Sequence, residues 1–430
     1  MLDELFALET FGIKLGLENI QRLCEALGHP ERAFTAIHVA GTNGKGSVTA
    51  MVHAALVAGG ITAGRYISPH LTHLRERFVV NRAAVDETAV AGVAERILNC
   101  ARRLQSEGRL AAPPTFFEAT TAMAFELFRD AQVRAAAVEV GLGGRFDATN
   151  VLTPPVGAIV TIGLDHRQHL GDTVEQIAAE KAGIIKPGMT VVAGALPEPA
   201  MRVVRRTADE RGARLIDALA ETEIEGGMRD GRGEISIETR RGRYGPLQLA
   251  LRGEHQIHNA IVAVHVLEAA RAAGLAVSDD AIVDGLETVD WPARLEVIAL
   301  ADGRRVLLDA AHNPDGARAL GQYLAQWHPE APALVVGIMG DKDADEILQA
   351  LLPVTSMVVA TAAETGRAMP PSVLAARISA LDPSRPVRVV PRVEAALEEA
   401  LGASALVCVA GSIFVAGEAR DALRRRGILS

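Results

Sequence analysis

Short β-branched runs alternate with Ala- and Leu-rich stretches along nearly the whole chain, and few architectures accept that rhythm. Strand, helix and strand in succession is the pattern of βαβ units, whose parallel sheets are covered on both faces and so read as apolar runs. A first series of strands is expected at 34–40, 63–67, 135–140, 156–162 and 190–193. A second is expected at 306–309, 333–338, 357–360, 387–390 and 405–410. Most of these runs are followed at once by Gly, Thr or Ser, and one ends in Asp309. In open α/β sheets ligands bind beyond the carboxyl ends of the strands, so the residues just past them are the ones to examine.

Between the two series the pattern changes. Residues 221–253 are charged and Gly-rich (EISIETRRGRYGPLQLALRG), which reads as antiparallel hairpins attached to the first domain, with a helix following from His258. The segment 288–294, with WPAR at its centre, breaks the periodicity and marks a hinge between domains 1–290 and 291–430. Two domains also suit 430 residues, since single cores rarely grow past roughly 250 to 300.

Composition narrows the function. With 49 % hydrophobic residues the chain can bury a core, and a net charge of −9 with both signs interleaved offers no basic face for a phosphate backbone, which argues against nucleic acid. Cys24, Cys100 and Cys408 lie far apart without zinc-ligand spacing and read as buried thiols in a reducing compartment. The opening MLDELFALETFGIKLG has no basic n-region followed by an apolar core, and no run reaches the roughly 18 apolar residues of a membrane span. A cytoplasmic protein with no membrane partner, a monomer, is expected.

The strongest chemical signal is IHVAGTNGKGSVTAMVHAAL: strand, Gly-rich turn, helix. The backbone N–H groups of such a turn and the helix N-terminus can surround a phosphate while Lys45 neutralises it, so Thr42, Asn43, Gly44, Lys45, Gly46 and Ser47 read as a nucleotide loop. It is a variant, because Val39 stands where the usual P-loop has its first Gly and Gly46 separates Lys45 from Ser47. An ordinary Gly-rich βα turn is the alternative. Glu139 ends the run AAAVE ahead of GLGGRFDATN, placing a carboxylate at the ligand edge, where phosphate-bound Mg²⁺ takes one or two such groups. Alone it reads more often as a solvated loop acid. Asp165 and His166 follow the next strand, and beside Glu139 the imidazole becomes a candidate Mg²⁺ or Mn²⁺ ligand. Lys181, near Glu175 and Glu180 on an expected helix, reads from spacing alone as a solvated helix face. In the second series LLDAAHNPDG places Asp309 and His312 after a strand, and AGSIF places Gly411 and Ser412 after another. The two edges could close on each other across the hinge, since clefts between domains favour ligands.

In order along the chain stand GIKLGLENI, HVAGTNGKGS, SPHL with ER and N beyond it, PTFFE, EVGLGGRFDATN, LDH, EKAGIIKPG, HQIHNA, PARLE, DAAHNP and AGSIF. Together they resemble the folylpolyglutamate synthases and dihydrofolate synthases of the Mur ligase superfamily. The resemblance implies a mostly parallel P-loop ATP-binding domain and a smaller carboxyl-terminal α/β (Rossmann-like) domain that supplies much of the glutamate site. It implies an ATP-dependent ligase that adds L-glutamate to dihydropteroate, to reduced folyl-(poly)glutamate, or to both, through an acyl phosphate. It assigns Lys45 and Ser47 to phosphate, and Asn259, Arg294 and Asp309 to the nucleotide. Ser68, Glu139, His166 and a carbamylated Lys181 would hold Mg²⁺, two ions in all, with Lys45, Lys181 and His166 catalytic. His312 and Ser412 fall near glutamate, while Arg77 and Phe117 fall where the folate is read. DAAHN and SIF depart from the commoner DGAHN and SLY, which bears on fine substrate preference.

Two other readings compete. A Mur-type ligase of cell-wall precursors would need an amino-terminal nucleotide-sugar domain, whereas only about 40 residues precede the loop. A silent nucleotide-binding regulator on the same fold would be expected to lose Lys45, Glu139 or His166, and all three stand.

Overall fold

Apolar strands with helices between them fold here as two α/β units, each around its own sheet. The computed structural model of the protein describes residues 2–12 and 16–429, with Thr10 and Phe11 by backbone alone. Residues 13–15 of the GIKLGLENI motif lie outside the described residues. The first unit comprises Met1–Gly226, Ile235–Gln248 and Ile257–Val289; the second comprises Gly227–Glu234, Leu249–Gln256 and Asp290–Ser430.

The first unit's strands are β1 (Thr35–Ala40), β2 (Ala63–Tyr66), β3 (Phe78–Val80), β4 (Ala83–Ala84), β5 (Ala135–Glu139), β6 (Val156–Thr161), β7 (Thr190–Ala195) and β8 (Arg214–Asp217). They form one sheet in the order β4-β3-β2-β5-β1-β6-β7-β8. Pairing is parallel from β2 to β8, and only the β2–β3–β4 edge is antiparallel. From β1 the chain builds first to one side and then to the other, so β1 is the topological switch, where a crevice opens at the carboxyl edge. Register sets Val39 of β1 beside Glu139 of β5, bringing the phosphate loop and that carboxylate to the same edge. The small residues of β5 (AAAVE), all buried, let the helix Lys45–Ala58 lie close against it.

Local signals start the helices that carry site residues. Thr115 and Glu118 form a reciprocal capping box, the hydroxyl accepting from Glu118 N at 3.1 Å and the carboxylate from Thr115 N at 2.7 Å, which begins Phe116–Asp130. Thr173 and Gln176 do the same for Val174–Ala182, the helix of Lys181.

The hairpin region is a three-stranded sheet of β9 (Thr222–Arg229), β10 (Arg232–Thr239) and β11 (Arg243–Arg252), in the order β11-β10-β9. Connections of two and three residues allow only antiparallel pairing. Asp230 and Gly231, both at positive φ (49° and 76°), make the tight Asp-Gly turn that suits the strand twist. Of this sheet, residues 227–234 and 249–252 belong to the second unit and the remainder to the first. The following helix is His255–Ala272, three residues ahead of the expected start at His258. Gly253, at φ +97°, ends β11 and turns the chain straight into the first helical turn.

The second unit's sheet orders β12 (Glu296–Ala299), β13 (Arg305–Leu308), β17 (Leu406–Ala410), β14 (Ala333–Val336), β15 (Met357–Ala362) and β16 (Val387–Arg392) from edge to edge. All pairs are parallel except β12–β13. The late strand β17 returns between β13 and β14, so the switch falls beside β13, whose end carries Asp309. Each expected strand is present within one or two residues at most ends; β3, β4, β8 and β12 are additional. All four have four residues or fewer and sit at or next to sheet edges, too short for a periodic pattern to mark them. No helix of the described residues is long and apolar enough to cross a membrane. The three cysteines are free and buried, as expected.

One packing contact fixes the ligand edge. A Cβ on Gly144 would come within 2.9 Å of the Glu180 and Lys181 carbonyl oxygens, and one on Gly183 within 2.5 Å of Arg145 Cα. The GLGGR turn and the end of the Val174–Ala182 helix therefore touch backbone to backbone, a contact only glycine permits. Gly183→Ala is expected to lose on the order of 1–3 kcal/mol in urea unfolding through forced backbone movement. A parent-like midpoint would show that this contact is not tight.

Candidate active site

At the end of β1 the chain must turn sharply to enter the helix Lys45–Ala58, and Gly44, at φ +79°, is the residue before its first turn. A Cβ there would lie 2.5 Å from Asn259 Oδ1, so the loop and the buried Asn259 are in direct contact. Thr42 and Asn43 are tied to the end of β6: Thr42 N donates to Thr161 O (2.8 Å), Asn43 N to Thr161 Oγ1 (2.9 Å), and Thr161 Oγ1 to Asn43 O (2.9 Å). Thr42 Oγ1 also donates to Gly163 O at 3.2 Å. The loop is thus held open ahead of the helix N-terminus, where N–H groups and the helix dipole favour an anion. Gly46 and Ser47 lie in the first turn and are buried.

Two amines meet on one carbonyl behind this loop. Lys45 Nζ donates to Gly41 O (3.1 Å) and Thr42 O (3.2 Å), and Lys181 Nζ donates to Gly41 O at 2.8 Å. Lys181 is only 4 % exposed, which overturns the solvated helix face that its spacing suggests. Burial, and then the charge of Lys45, push its pKa down to about 7, against the opposing pull of Asp165 and Asp147. Near neutral pH a large fraction of Lys181 is therefore an uncharged, nucleophilic amine.

Glu139, 6 % exposed, is no solvated loop acid: its Oε2 accepts the Ser68 N–H at 3.3 Å, which joins two of the residues expected to hold metal. His166 takes a left-handed backbone (φ +52°) at the start of the short turn Arg167–Leu170, is exposed, and pairs with Asp165 at 3.9 Å. Among the described residues no three His, Cys, Asp or Glu side chains gather as a metal-holding group.

The opposite wall is aromatic. Phe117 lies so close over Gly141 that a Cβ there would be 2.5 Å from its ring, and it stacks with Tyr66 at 6.2 Å between centroids. Arg77, 6 % exposed, donates Nε–H to His70 Nδ1 at 2.9 Å and sits 5.0 Å above the Phe116 ring. No carboxylate forms an ion pair with it among the described residues, and burial lowers its pKa. Two further residues, which the sequence does not single out, complete the frame. His70 orients Arg77. Asp147 accepts from Leu142 N (2.8 Å) and Thr149 N (3.0 Å) and holds the GLGGRFD turn in shape. For Thr161 the one available signal was its place at a strand end.

In the second unit the candidates gather on one network. Asp309 Oδ2 accepts from Leu295 N and Oδ1 from Ala311 N, both at 2.9 Å; Ala310 N donates to Ala293 O and Gly411 N to Ala311 O, also at 2.9 Å. The PARL, DAAHN and AGS segments are thereby locked together. Burial pushes the Asp309 carboxyl up, while the Arg294 charge pulls it down. His312 Nδ1 is 2.9 Å from Ala310 O; because a carbonyl only accepts, Nδ1 carries the hydrogen, leaving Nε2 as the acceptor in the neutral ring. Ser412 begins the helix Ile413–Arg425 and accepts from Phe414 N at 3.2 Å.

Comparison with known proteins agrees on one relationship. The Mur ligase middle domain matches residues 39–267, and the Mur ligase glutamate ligase domain matches residues 293–413. The dihydrofolate synthase/folylpolyglutamate synthase of Mycobacterium tuberculosis is 37 % identical over 376 residues, 84 % of this chain and 76 % of that protein. Among solved structures, Mycobacterium tuberculosis folylpolyglutamate synthase complexed with ADP superposes with a TM-score of 0.90 at 34 % identity, over 98 % of both chains. E. coli FolC in complex with DHPP and ADP gives 0.87 at 29 % identity, over 99 % of this chain and 98 % of that one.

The Lys181 environment has a pH signature. Between about pH 7 and its ordinary value of 10.5 the unfolded chain binds a proton that the folded chain does not, so stability should rise with pH across that window and be flat below it. In nucleotide-free, CO₂-free buffer, Lys181→Met should remove that slope and be more stable at pH 7 by on the order of 3 kcal/mol. Parallel stability curves for parent and variant would mean the amine is not desolvated.

Proposed function

The chain belongs to the folylpolyglutamate synthase/dihydrofolate synthase family of the Mur ligase superfamily, and on that premise we propose how its residues divide the work of ATP-dependent glutamate ligation. The enzyme is an ATP-dependent ligase that joins L-glutamate to dihydropteroate, to the γ-carboxylate of a folyl-(poly)glutamate, or to both. What supports our reading most is the meeting of Lys45 and Lys181 on the Gly41 carbonyl beneath a helix N-terminus at the switch strand.

A carboxylate acylates amines poorly. Its oxygen attacks the γ-phosphorus of ATP, the bond to ADP breaks, and an acyl phosphate results. The glutamate amine then attacks the carbonyl carbon, inorganic phosphate leaves, and the amine's proton passes to solvent or to a base. The loop N–H groups from Thr42 to Ser47 cradle the phosphates, and Lys45 leaves its carbonyls to stabilise the transferring phosphoryl group, a task of positioning and charge. Asn259, against the loop, steadies the nucleotide.

We assign the acceptor to the aromatic wall: Phe117 offers a face to the pterin, and Arg77 meets an acceptor carboxylate. A buried guanidinium that forms no ion pair among the described residues, with only the more distant charges of Glu9 and Glu139 acting on it, is a costly group that an anionic ligand would relieve. The donor set at the end of β5 fits Mg²⁺, because Glu139 is a fixed hard oxygen donor beside Ser68, with His166 at the same edge of the sheet. Lys181 joins it as a carbamate: the neutral amine adds to CO₂, loses a proton and becomes an anionic oxygen donor. Bound there, Mg²⁺ would neutralise the phosphate oxygens. In the second unit Arg294 and Asp309 serve the nucleotide, and His312 and Ser412 the glutamate.

The experiment is ATP-dependent phosphate release with glutamate and either dihydropteroate or tetrahydrofolate, offered separately. Release with at least one acceptor is expected, and Lys45→Ala should lower it by about 10²–10³-fold while its circular dichroism stays parental. No release with either acceptor, or a folded Lys45→Ala enzyme at full rate, would contradict the reading.

A further inference from the structure

The segment that carries Arg294 is bent against the preference of its own residues. Ala293 and Leu295, on either side of Arg294, both take the left-handed backbone, at φ +54° and +48°. A Cβ there crowds the following carbonyl oxygen, so glycine is the usual occupant and a leucine is an outlier. Glycine is not open to position 295, because the Leu295 side chain is 1 % exposed and packs in the core of the second unit. A plain connection into β12 could still take glycine at position 293 without penalty. The bend must therefore be held from outside, and strain held in this way collects at functional segments.

Three hydrogen bonds hold it. Leu295 N donates to Asp309 Oδ2, Ala310 N to Ala293 O, and Ala293 N to Glu296 Oε2, each at 2.9 Å. The first two belong to the network around Asp309. The third depends on a residue outside that network: Arg420, on the helix Ile413–Arg425, directs its Nε–H between the two Glu296 oxygens, 3.1 Å from each. Arg420 is 9 % exposed, and Glu296 is the one acid it pairs with among the described residues. An ion pair of this kind commonly braces a helix against a strand. Such a brace does not require the same carboxylate to grip the N–H of a strained residue three positions away. Arg294 Nη1 in turn donates to Ala293 O at 3.1 Å, so the guanidinium is steered by that same residue.

We propose that Glu296 and Arg420 are positioning residues for the nucleotide: Arg420 fixes the carboxylate, the carboxylate holds Ala293 in its left-handed turn, and Arg294 is thereby presented in one direction. The proposal rests on the assignment of Arg294 to the nucleotide made above. Without Arg420 the Glu296 side chain, already one-fifth exposed, turns to water, and Ala293 relaxes to the right-handed or extended backbone that alanine prefers. Nucleotide affinity then falls with the fraction of molecules in which the turn is formed.

The test reads binding without turnover. The full-length enzyme is titrated calorimetrically with ADP and Mg²⁺, circular dichroism confirms the fold of each variant, and acceptor KM is measured alongside. Arg420→Gln and Glu296→Ala should each weaken ADP by about tenfold, the scale of one relaxed left-handed residue, with acceptor KM near that of the parent. Arg420→Lys, which keeps the charge, should lose less. Because the pair acts as one device, the double variant should bind ADP no more weakly than Glu296→Ala alone. Ala293→Gly added to Arg420→Gln should restore most of the loss, since glycine takes the left-handed turn unaided. Parent-like ADP affinity in folded Arg420→Gln and Glu296→Ala would overturn the proposal, as would additive losses in the double variant or no recovery with Ala293→Gly. Arg294→Ala separates this from the reading beneath it: a loss of ADP affinity is expected, and parent-like affinity there would remove the nucleotide assignment and the proposal with it.

Discussion

The carbonyl oxygen of Gly41 receives hydrogen bonds from two lysines, and the ligand edge of the first unit is organised by that arrangement. Two cations near one oxygen repel, and one of them is buried. The buried one, Lys181, is the one whose pKa falls, because desolvation and the nearby Lys45 charge both disfavour its charged form. A lysine suited to phosphate and an amine suited to CO₂ thus meet on one loop carbonyl. The separation follows from placement: Lys45 opens a helix at the mouth of the loop, and Lys181 ends another helix behind it.

That placement depends on parallel-sheet topology. The switch strand β1 delivers the loop, its neighbour β5 delivers Glu139, and its other neighbour β6 delivers Thr161 and the segment to His166. The second unit repeats the device, with Asp309 after β13 and Ser412 after the adjacent strand β17. In both units small residues let the loops approach: Gly144 and Gly183 in the first, and Gly411, at φ +97°, in the second.

Much of this was legible in the sequence, for physical reasons that also mark where it was not. The phosphate loop is local, since glycines, lysine and helix start lie within seven residues, and the long parallel strands announce themselves as apolar runs. Lys181 was illegible from spacing. Two acids nearby suggest a solvated face, whereas its amine is buried on the Gly41 carbonyl, 140 residues away along the chain. The motif resemblance supplied what periodicity could not. Glu139 was ambiguous for the same reason, because its burial depends on the Ser68 loop. The short strands β3, β4, β8 and β12 gave no pattern to read.

The account turns on Lys181 acting as a carbamate at the ligand edge, and carbon NMR tests this most directly. Parent enzyme and Lys181→Met are equilibrated with ¹³C-bicarbonate, Mg²⁺ and ADP, and the carbonyl region is recorded. One protein-bound carbamate resonance is predicted in the parent, absent from the variant and lost when bicarbonate is removed, with ligase activity falling in step. A fully active parent with no such resonance, or the same resonance in Lys181→Met, would contradict the account.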